Sequence, residues 1–325
     1  MVGARESEYA YTVAPAGHRL HAGARLGAVH LQVADLARSV AYYDRVIGLR
    51  TISADATQAV LGAHGDPTPI VVLHHRAGAS PVPSRGRLGL YHFAILLPDR
   101  AALGRFIAHL AAIGAYAGMS DHLVSEAVYL TDPDGLGIEV YADRPRDTWR
   151  ISNRVLEMAT RTLDAADLVR ASKGIPWSGA PPGTHIGHVH LFVSNLEDAA
   201  RFYHDGLGLD KILLDFPGAL FMSAGGYHHH LGTNTWAAGA PHAAPEEARL
   251  LEWSVILPSR DDVESTARAL TNVGAIVTRA DGDVVAADPW GTVVRVTAES
   301  SLPAPAARDT RPAGASSDSP PSARR

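Results

Sequence analysis

The sequence predicts an α+β protein built from four similar units, each a strand, a helix and further strands. Three observations support this fold class. The chain repeats one segment at an offset of 160 residues, it repeats a second segment at the same offset, and its remaining strands are short and bounded by glycine and proline. A long internal repeat is typical of an architecture that uses one structural unit several times.

The first repeat opens each half of the chain with a strand and then a helix. The matching stretches are HLQVADLARSVAYYDRVIGL (30–49) and HLFVSNLEDAARFYHDGLGL (190–209). Asp35 and Asn195 stand where a short side-chain oxygen can accept a backbone N–H at the helix start. Gly48 and Gly208 stand where each helix is expected to end.

The second repeat predicts another strand, a proline-marked turn and a helix in each half. The matching stretches are YHFAILLPDRAALGRFIAHLAAIGA (91–115) and LEWSVILPSRDDVESTARALTNVGA (251–275), followed by DPDGLGIEVY (132–141) and DPWGTVVRVT (288–297). Each half therefore contains two units, and the chain contains four. Short strands between Gly and Pro residues fill the remainder of each unit.

These repeats divide the chain into five parts. We expect a leader at 1–24, a first domain at 25–145, a polar and partly helical connector at 146–183, a second domain at 184–298, and a tail at 299–325. The tail is rich in Pro, Ala, Ser and Arg and contains no aromatic residue. Because it cannot bury enough apolar area to offset the entropy of ordering, we expect it to be disordered.

Composition excludes several classes of function. The chain contains no cysteine and 17 histidines, so disulfides, thiolate zinc sites, iron–sulfur clusters and a cysteine nucleophile are ruled out. A net charge of −5 argues against nucleic acid as a partner. No apolar run approaches the roughly 18 residues of a membrane span, and the N-terminus has no secretory signal pattern. We therefore expect a cytoplasmic protein.

Three segments carry a family resemblance: GLYHFAILLPDR, SEAVYLTDPDGLGIEVYADRPR and SAGGYHHHLGTNTW. With the repeats, they make residues 25–298 resemble the vicinal oxygen chelate superfamily, which includes glyoxalase I, bleomycin resistance proteins and extradiol dioxygenases. The segments look most like the two-domain catechol 2,3-dioxygenase branch. The resemblance implies four βαβββ modules paired into two tandem open barrels, each module pair surrounding a possible metal site.

The resemblance also implies a metal site made of two histidines and one glutamate on the first and last strands of the modules. In the first domain these positions are His30, His92 and Glu139. Two imidazoles and one carboxylate suit non-haem Fe(II), because they leave positions on the metal open for a substrate. Taken singly, each histidine could also be an ordinary core residue, and Glu139 could pair with an arginine.

The sequence supports a second metal site less strongly than the first. The family positions in the second domain are His190, Glu252 and Arg295, and a cation cannot be a metal ligand. The alternative second site combines His190 and Glu252 with His228 and His230 of the HHH run, which alternation along a strand would place on one face. We therefore predict the metal in the first domain.

Acid–base groups are expected beside the metal, because ring cleavage moves protons and histidine titrates near neutral pH. The resemblance implies a histidine on the strand PIVVLHHR, which makes His74 or His75 the candidate. It also implies that His122 and Tyr129 contact the substrate oxygens. Ordinary strand packing is the alternative for each of these side chains.

The expected function is an Fe(II)-dependent extradiol dioxygenase, with Mn(II) as an alternative metal. Its substrates would be O2 and a catechol-type or hydroquinone-type aromatic, and a homo-oligomer is the expected assembly. Two other functions remain open on the same fold. One is a glyoxalase-like, metal-dependent isomerase or transferase, and the other is a non-catalytic protein that binds an aromatic compound or drug.

Overall fold

The computed structural model describes residues 9–83, 86–214 and 216–301, and it confirms the predicted α+β class. The expected disorder of the tail concerns residues that lie almost entirely outside this part of the chain. No helix within the described ranges has the length and hydropathy to cross a membrane.

The strands and helices follow the four predicted units. The strands of the first two units and the leader are β1 (Thr12–Val13), β2 (Arg25–Val33), β3 (Arg50–Ala54), β4 (Gln58–Gly62), β5 (Pro69–His75), β6 (Gly89–Leu96), β7 (Gly118–Asp121), β8 (Ser125–Thr131) and β9 (Gly137–Asp143). The connector and the last two units contain β10 (Ile151–Ser152), β11 (Val155–Leu156), β12 (His185–Phe192), β13 (Asp210–Ile212), β14 (Ala219–Ser223), β15 (Leu231–Asn234), β16 (Arg249–Leu257), β17 (Val277–Ala280), β18 (Asp283–Ala287) and β19 (Val293–Ala298). The α-helices are α1 (Leu36–Tyr42), α2 (Arg100–Ile113), α3 (Ala165–Ala171), α4 (Leu196–Ala200) and α5 (Arg260–Asn272).

Helix starts and ends agree with the local sequence signals. The Asp35 side chain accepts the backbone N–H of Arg38 at the start of α1, and Asn195 caps α4 in the same way. Short π-helical turns, Tyr43–Ile47 and Arg201–Gly206, extend both helices. Gly48 then adopts a φ of 82°, a left-handed conformation that glycine takes without the cost of a Cβ.

Two large sheets form the molecule. The first, sheet A, has nine strands in the order β1-β13-β14-β15-β12-β6-β9-β8-β7, and the second, sheet B, has eight strands in the order β17-β18-β19-β16-β2-β5-β4-β3. Sheet A thus joins the second unit to the third, and sheet B joins the first unit to the fourth.

This pairing differs from the expected pairing of the units. We expected the units of residues 25–145 to share one barrel and those of 184–298 to share another, but both sheets combine strands from the two halves. The first strands of the units pair across the halves, with His190 opposite His92 and Glu252 opposite His30. All four units have similar apolar patterns, so strand periodicity could not identify which units pair.

The leader and the connector also contain strands, and the connector contains a helix. β1, from the expected leader, pairs with β13 at the edge of sheet A. The connector contains the β10–β11 hairpin and α3, and α3 packs on α2. The connector and the described part of the leader, residues 9–24, are therefore parts of the folded molecule and not only links to it.

One face of sheet A belongs to the main apolar core. Phe93 and Ile95 of β6, and Ile138 and Val140 of β9, are buried in this core with Phe106 of α2. Since successive side chains of a strand point to opposite faces, the intervening residues of β6 and β9 face away from α2. That second face holds the candidate site.

Candidate active site

Three buried metal-ligating side chains meet on this face of sheet A: His92, Glu139 and His188. Nε2 of His92 and Nε2 of His188 each lie 3.1 Å from Oε2 of Glu139. One donor atom from each residue can be chosen so that all three lie within 4.8 Å of one another. Among the described residues, this is the one such group of histidines and carboxylates.

Strand register explains how the three side chains converge. His188 of β12 and Glu139 of β9 are both in register with Ala94 of β6, which lies between them. Two strand spacings, about 10 Å, separate the backbones of His188 and Glu139. The small Ala94 side chain leaves room above β6 for the imidazole and the carboxylate to meet. His92 lies two residues before Ala94 and therefore on the same face.

Burial and mutual contact set the protonation of the cluster. Burial would raise the pKa of the Glu139 carboxyl, but the adjacent His188 and His92 imidazoles hold it well below its usual range. Burial lowers the pKa of His188 to about 4, although Glu139 acts in the opposite direction. The cluster thus favours an ionised carboxylate with a neutral His188, and these are the forms that bind metals.

The cluster fits a divalent metal ion. Nε2 of His92 is buried and makes no hydrogen bond to any described residue, although it lies 3.1 Å from Oε2 of Glu139. Metal–ligand bonds of about 2.0–2.2 Å place neighbouring donors of a six-coordinate ion about 3 Å apart, which matches both 3.1 Å separations. A cation here would satisfy the unpaired nitrogen and neutralise the buried carboxylate.

A cavity of about 270 Å³ opens directly above the cluster. The described residues that line it are Tyr91, His92, Ser120, His122, Ser125, Tyr129, Glu139, Met158, Ala159, Thr160, His188, His190, Phe216, Phe221, His229 and Trp236. Met158 to Thr160 come from the connector, so the segment between the two halves forms part of the cavity wall. The cavity combines a few polar groups with aromatic walls, as small-molecule sites usually do.

His122 and Tyr129 form a hydrogen-bonded pair in this cavity. Nδ1 of His122 lies 2.8 Å from the carbonyl oxygen of Ala159, and Nε2 lies 2.7 Å from the Tyr129 hydroxyl. Since a carbonyl only accepts, the proton of a neutral His122 resides on Nδ1, and Nε2 accepts from Tyr129. The Tyr129 oxygen can then accept a hydrogen bond from a ligand in the cavity. Burial, with the charge of Glu139, raises the Tyr129 pKa well above its usual value, so the phenol keeps its proton.

A second hydrogen-bonded chain reaches the cavity through His229. Nε2 of His228 lies 2.9 Å from a carboxylate oxygen of Asp143, and Nδ1 of His228 lies 2.8 Å from Nδ1 of His229. The carboxylate accepts from His228, so Nδ1 of a neutral His228 must accept from His229. This arrangement leaves Nε2 of His229 unprotonated. Tyr227 supports the chain by donating to Asp143 at 2.9 Å.

Tyr141 packs against His188 and against the hydrogen-bonded chain formed by Asp143, His228 and His229. Its hydroxyl lies 2.7 Å from that of Tyr227, and its ring lies 4.9 Å from the His188 ring between centroids. A Cβ atom at Gly187 would lie 1.8 Å from the Tyr141 hydroxyl oxygen. Only glycine therefore lets β12 pass the Tyr141 hydroxyl at this point.

The structure corrects the expected ligand set, because it does not bring His30 to His92 and Glu139. His30 lies on β2 in sheet B, and its Nδ1 is 3.0 Å from Nε2 of His74. His74 and the exposed His75 end β5 in the same sheet, so neither reaches the cavity of sheet A. Burial lowers the pKa of both His30 and His74.

Sheet B does not assemble the alternative second site either. Arg295 binds both carboxylate oxygens of Glu252, at 2.6 and 3.0 Å, and thus supplies the positive charge beside this carboxylate. His190 lies in sheet A, in the cavity, where its Nε2 is 2.9 Å from Nδ2 of Asn234. His228 and His230 were expected to share a strand face, but the HHH run precedes β15 and does not alternate as a strand.

Two residues of the site were not predicted from the sequence. His188 is two positions before His190 in HVHLF and so shares its strand face, which was a usable signal. The repeat drew attention to His190 instead, because His190 matches His30, while the counterpart of His188 is Ala28. His229 had no such signal, because its position depends on an irregular turn.

Comparison with known proteins agrees with this architecture. The family model of the Glyoxalase/Bleomycin resistance protein/Dioxygenase superfamily matches residues 25–140 and 185–296. A catechol-2,3-dioxygenase of Bacillus subtilis (strain 168) is 40% identical over 276 residues, which cover 83% of this chain and 95% of that protein.

Solved structures show the same fold at low sequence identity. A putative dioxygenase from Bacillus subtilis has a TM-score of 0.61 at 14% identity, covering 86% of both chains. A mutant form of glyoxalase I from Zea mays has a TM-score of 0.53 at 16% identity, covering 86% of this chain and 95% of that one. The resemblance noted in the sequence is therefore confirmed, and the chain belongs to the Glyoxalase/Bleomycin resistance protein/Dioxygenase superfamily.

Proposed function

We propose that the protein is an Fe(II)-dependent extradiol dioxygenase that cleaves a catechol-type aromatic ring with O2. One observation carries the proposal: His92, Glu139 and His188 meet at the base of a cavity that also contains the His122–Tyr129 pair. The 40% identity to a protein named catechol-2,3-dioxygenase supports the same reaction.

The donor set favours iron. Two imidazoles and one carboxylate with open positions suit non-haem Fe(II), with Mn(II) as the alternative. A metal held there would supply Lewis-acid and redox chemistry for the reaction of the diol with O2. His92, Glu139 and His188 would hold it.

The overall reaction needs no further reductant. The bond between one hydroxyl-bearing carbon and its neighbour outside the diol breaks, and both atoms of O2 enter the product. The ring is oxidised, O2 is reduced, and catechol plus O2 equals the ring-opened aldehyde acid in composition. The protein must therefore bind the diol, remove a hydroxyl proton and return a proton to an oxygen.

One group in the cavity can take the hydroxyl proton, and a second can help to bind the diol. Nε2 of His229 is the free base defined by the hydrogen bonds of His228 and Asp143, and it can take a hydroxyl proton from the diol. The Tyr129 oxygen can accept a hydrogen bond from the other hydroxyl, because its own proton is directed to His122. Asp143 accepts from Nε2 of His228 and thereby fixes the tautomers of the His228–His229 pair.

Aerobic assay of Fe(II)-loaded protein with catechol tests the proposal. We expect uptake of one O2 per catechol and a yellow ring-opened product. Absence of O2 uptake with every catechol and hydroquinone offered to iron-loaded protein would contradict it. Conversion of a hemithioacetal without O2 would instead support the glyoxalase-like alternative.

A further inference from the structure

We infer that the substrate carries a short, uncharged, apolar substituent, and that Trp236 helps to select it. This inference rests on the proposed ring-cleaving function and names the class of diol that the cavity takes. The substituent would lie on one side of the cavity, along an aromatic wall formed by Tyr91, Phe216, Phe221 and Trp236.

The aromatic wall is continuous. The centroid of the Trp236 ring lies 5.7 Å from Tyr91 and 6.0 Å from Phe216, and the Phe216 ring lies 6.0 Å from Phe221. At its inner end the Phe221 ring lies 5.0 Å from His229. The wall therefore extends from the proposed base, and the buried His190 ring packs against three of its members, Tyr91, Phe221 and Trp236.

The rings of the wall range from buried to exposed. Phe221 is 7% exposed, Tyr91 is 37% exposed and Trp236 is 50% exposed. The Tyr91 ring lies 4.8 Å from the His92 ring, so a diol held at the cluster would direct a ring substituent along Tyr91 and Phe221 towards the exposed Trp236 at the mouth. Large exposed aromatic side chains at a cavity mouth favour contact with an apolar group.

Charge argues against an acidic substituent. No lysine or arginine is present among the described residues that line the cavity, and Glu139 is the one acidic residue among them. A carboxylate on the substrate would lose its hydration without gaining a cation, which is costly. A cavity of about 270 Å³ is close to the lower end of the roughly 300–1,000 Å³ of ligand pockets, which limits the substituent to a short one.

Paired diols of similar size test the inference by binding and by turnover. Anaerobic titration calorimetry of Zn(II)-loaded protein should give a Kd for 3,4-dihydroxybenzoate at least about tenfold weaker than for 4-ethylcatechol, a factor that corresponds to 1.4 kcal/mol. The iron-loaded protein should show the same order in kcat/KM. Equal binding and cleavage of the two diols would overturn the inference. If neither diol is cleaved but 4-ethylcatechol still binds more tightly, the proposed function fails, and what stands is the preference of the cavity for an uncharged apolar ligand with Trp236 as its test position.

Substitution at the mouth tests the role of Trp236. Trp236→Arg should shift the ratio of the two Kd values towards 3,4-dihydroxybenzoate by about tenfold, because it adds a cation where the apolar group lies. Trp236→Ala should weaken the binding of 4-ethylcatechol without strengthening the binding of 3,4-dihydroxybenzoate. Tyr116→Arg is the matched control, since Tyr116 is 93% exposed and does not line the cavity. An unchanged ratio in a folded Trp236→Arg protein would remove Trp236 from the selection.

Discussion

Nε2 of His188 lies 3.1 Å from Oε2 of Glu139, although β6 separates the strands of these two residues. The pair joins the first half of the sequence to the second, so the candidate metal centre exists only when both halves share sheet A. This relationship distinguishes His188 from His30, which the repeat had suggested as the ligand.

Substitution of His188 should abolish metal binding, whereas substitution of His30 should not. His188→Ala removes one of three donors, and we expect affinity for Fe(II) to fall by more than about 100-fold, beyond the loss typical of groups that only support a ligand. His30→Ala is the matched control, because His30 contacts His74 in sheet B. Metal content of the two purified variants, measured after equal iron loading, decides between them. Loss of metal in His30→Ala with retention in His188→Ala would reverse our assignment.

A larger side chain at position 94 should disrupt the cluster from below. Ala94 lies between His188 and Glu139 in the register of sheet A, and it is fully buried. Ala94→Leu should cost about 1–3 kcal/mol of unfolding free energy through overpacking and should lower metal content as well. Ala94→Gly leaves the space open, so this variant should weaken the strand yet keep the metal. Thermal unfolding and metal analysis of both variants provide the measurement. Full metal content in Ala94→Leu would show that the space above β6 is not required.

Loss of the Asp143 charge should slow turnover while the metal remains bound. Asp143 accepts from His228 and so keeps Nε2 of His229 free of a proton. Asp143→Asn should lower kcat by about 10–100-fold, the range typical of groups that orient a functional histidine. Asp147→Asn is the matched control, because Asp147 is an exposed carboxylate four residues away. Single-turnover rates at equal iron content separate this effect from metal loss. An unchanged rate in Asp143→Asn would show that the hydrogen bonds from Asp143 through His228 to His229 have no part in the reaction.

The metal-free protein should lose stability as the pH falls from about 6.5 to 4. The pKa of His188 is lowered to about 4 by burial, whereas an unfolded histidine titrates near 6.5. Between these values the unfolded state binds the additional proton, so unfolding becomes easier as the pH decreases. His188 alone would account for up to about 3 kcal/mol over this interval.

Urea unfolding at several pH values in the presence of a chelator measures this effect. Burial lowers the pKa of His190 and His229 in the same direction, so these residues should add to the slope. His188→Gln removes one titrating group and should give a shallower dependence of unfolding free energy on pH than the parent protein. Parallel pH dependences for the two proteins would mean that His188 titrates normally in the folded state.

Local features of the fold were predictable from the sequence because they depend on neighbouring residues. Asp35 and Asn195 cap helices, and Gly48 ends one, as the local pattern indicated. His92 and Glu139 were candidates because the family resemblance implied them, and both lie on strands whose alternation is visible in the sequence. His122 and Tyr129 lie in the same cavity as that pair, as the family spacing implied.

The sequence by itself determined four repeated units, their α+β character and the absence of thiolate chemistry, and the family resemblance added His92 and Glu139 as candidate metal ligands. Only the tertiary structure decided which units pair, and with that the third ligand. Four units with similar apolar faces can pair in more than one way, since burial of apolar area is non-directional. The register of β12, β6 and β9 selects His188, whereas the Glu252–Arg295 ion pair of sheet B occupies the corresponding position there.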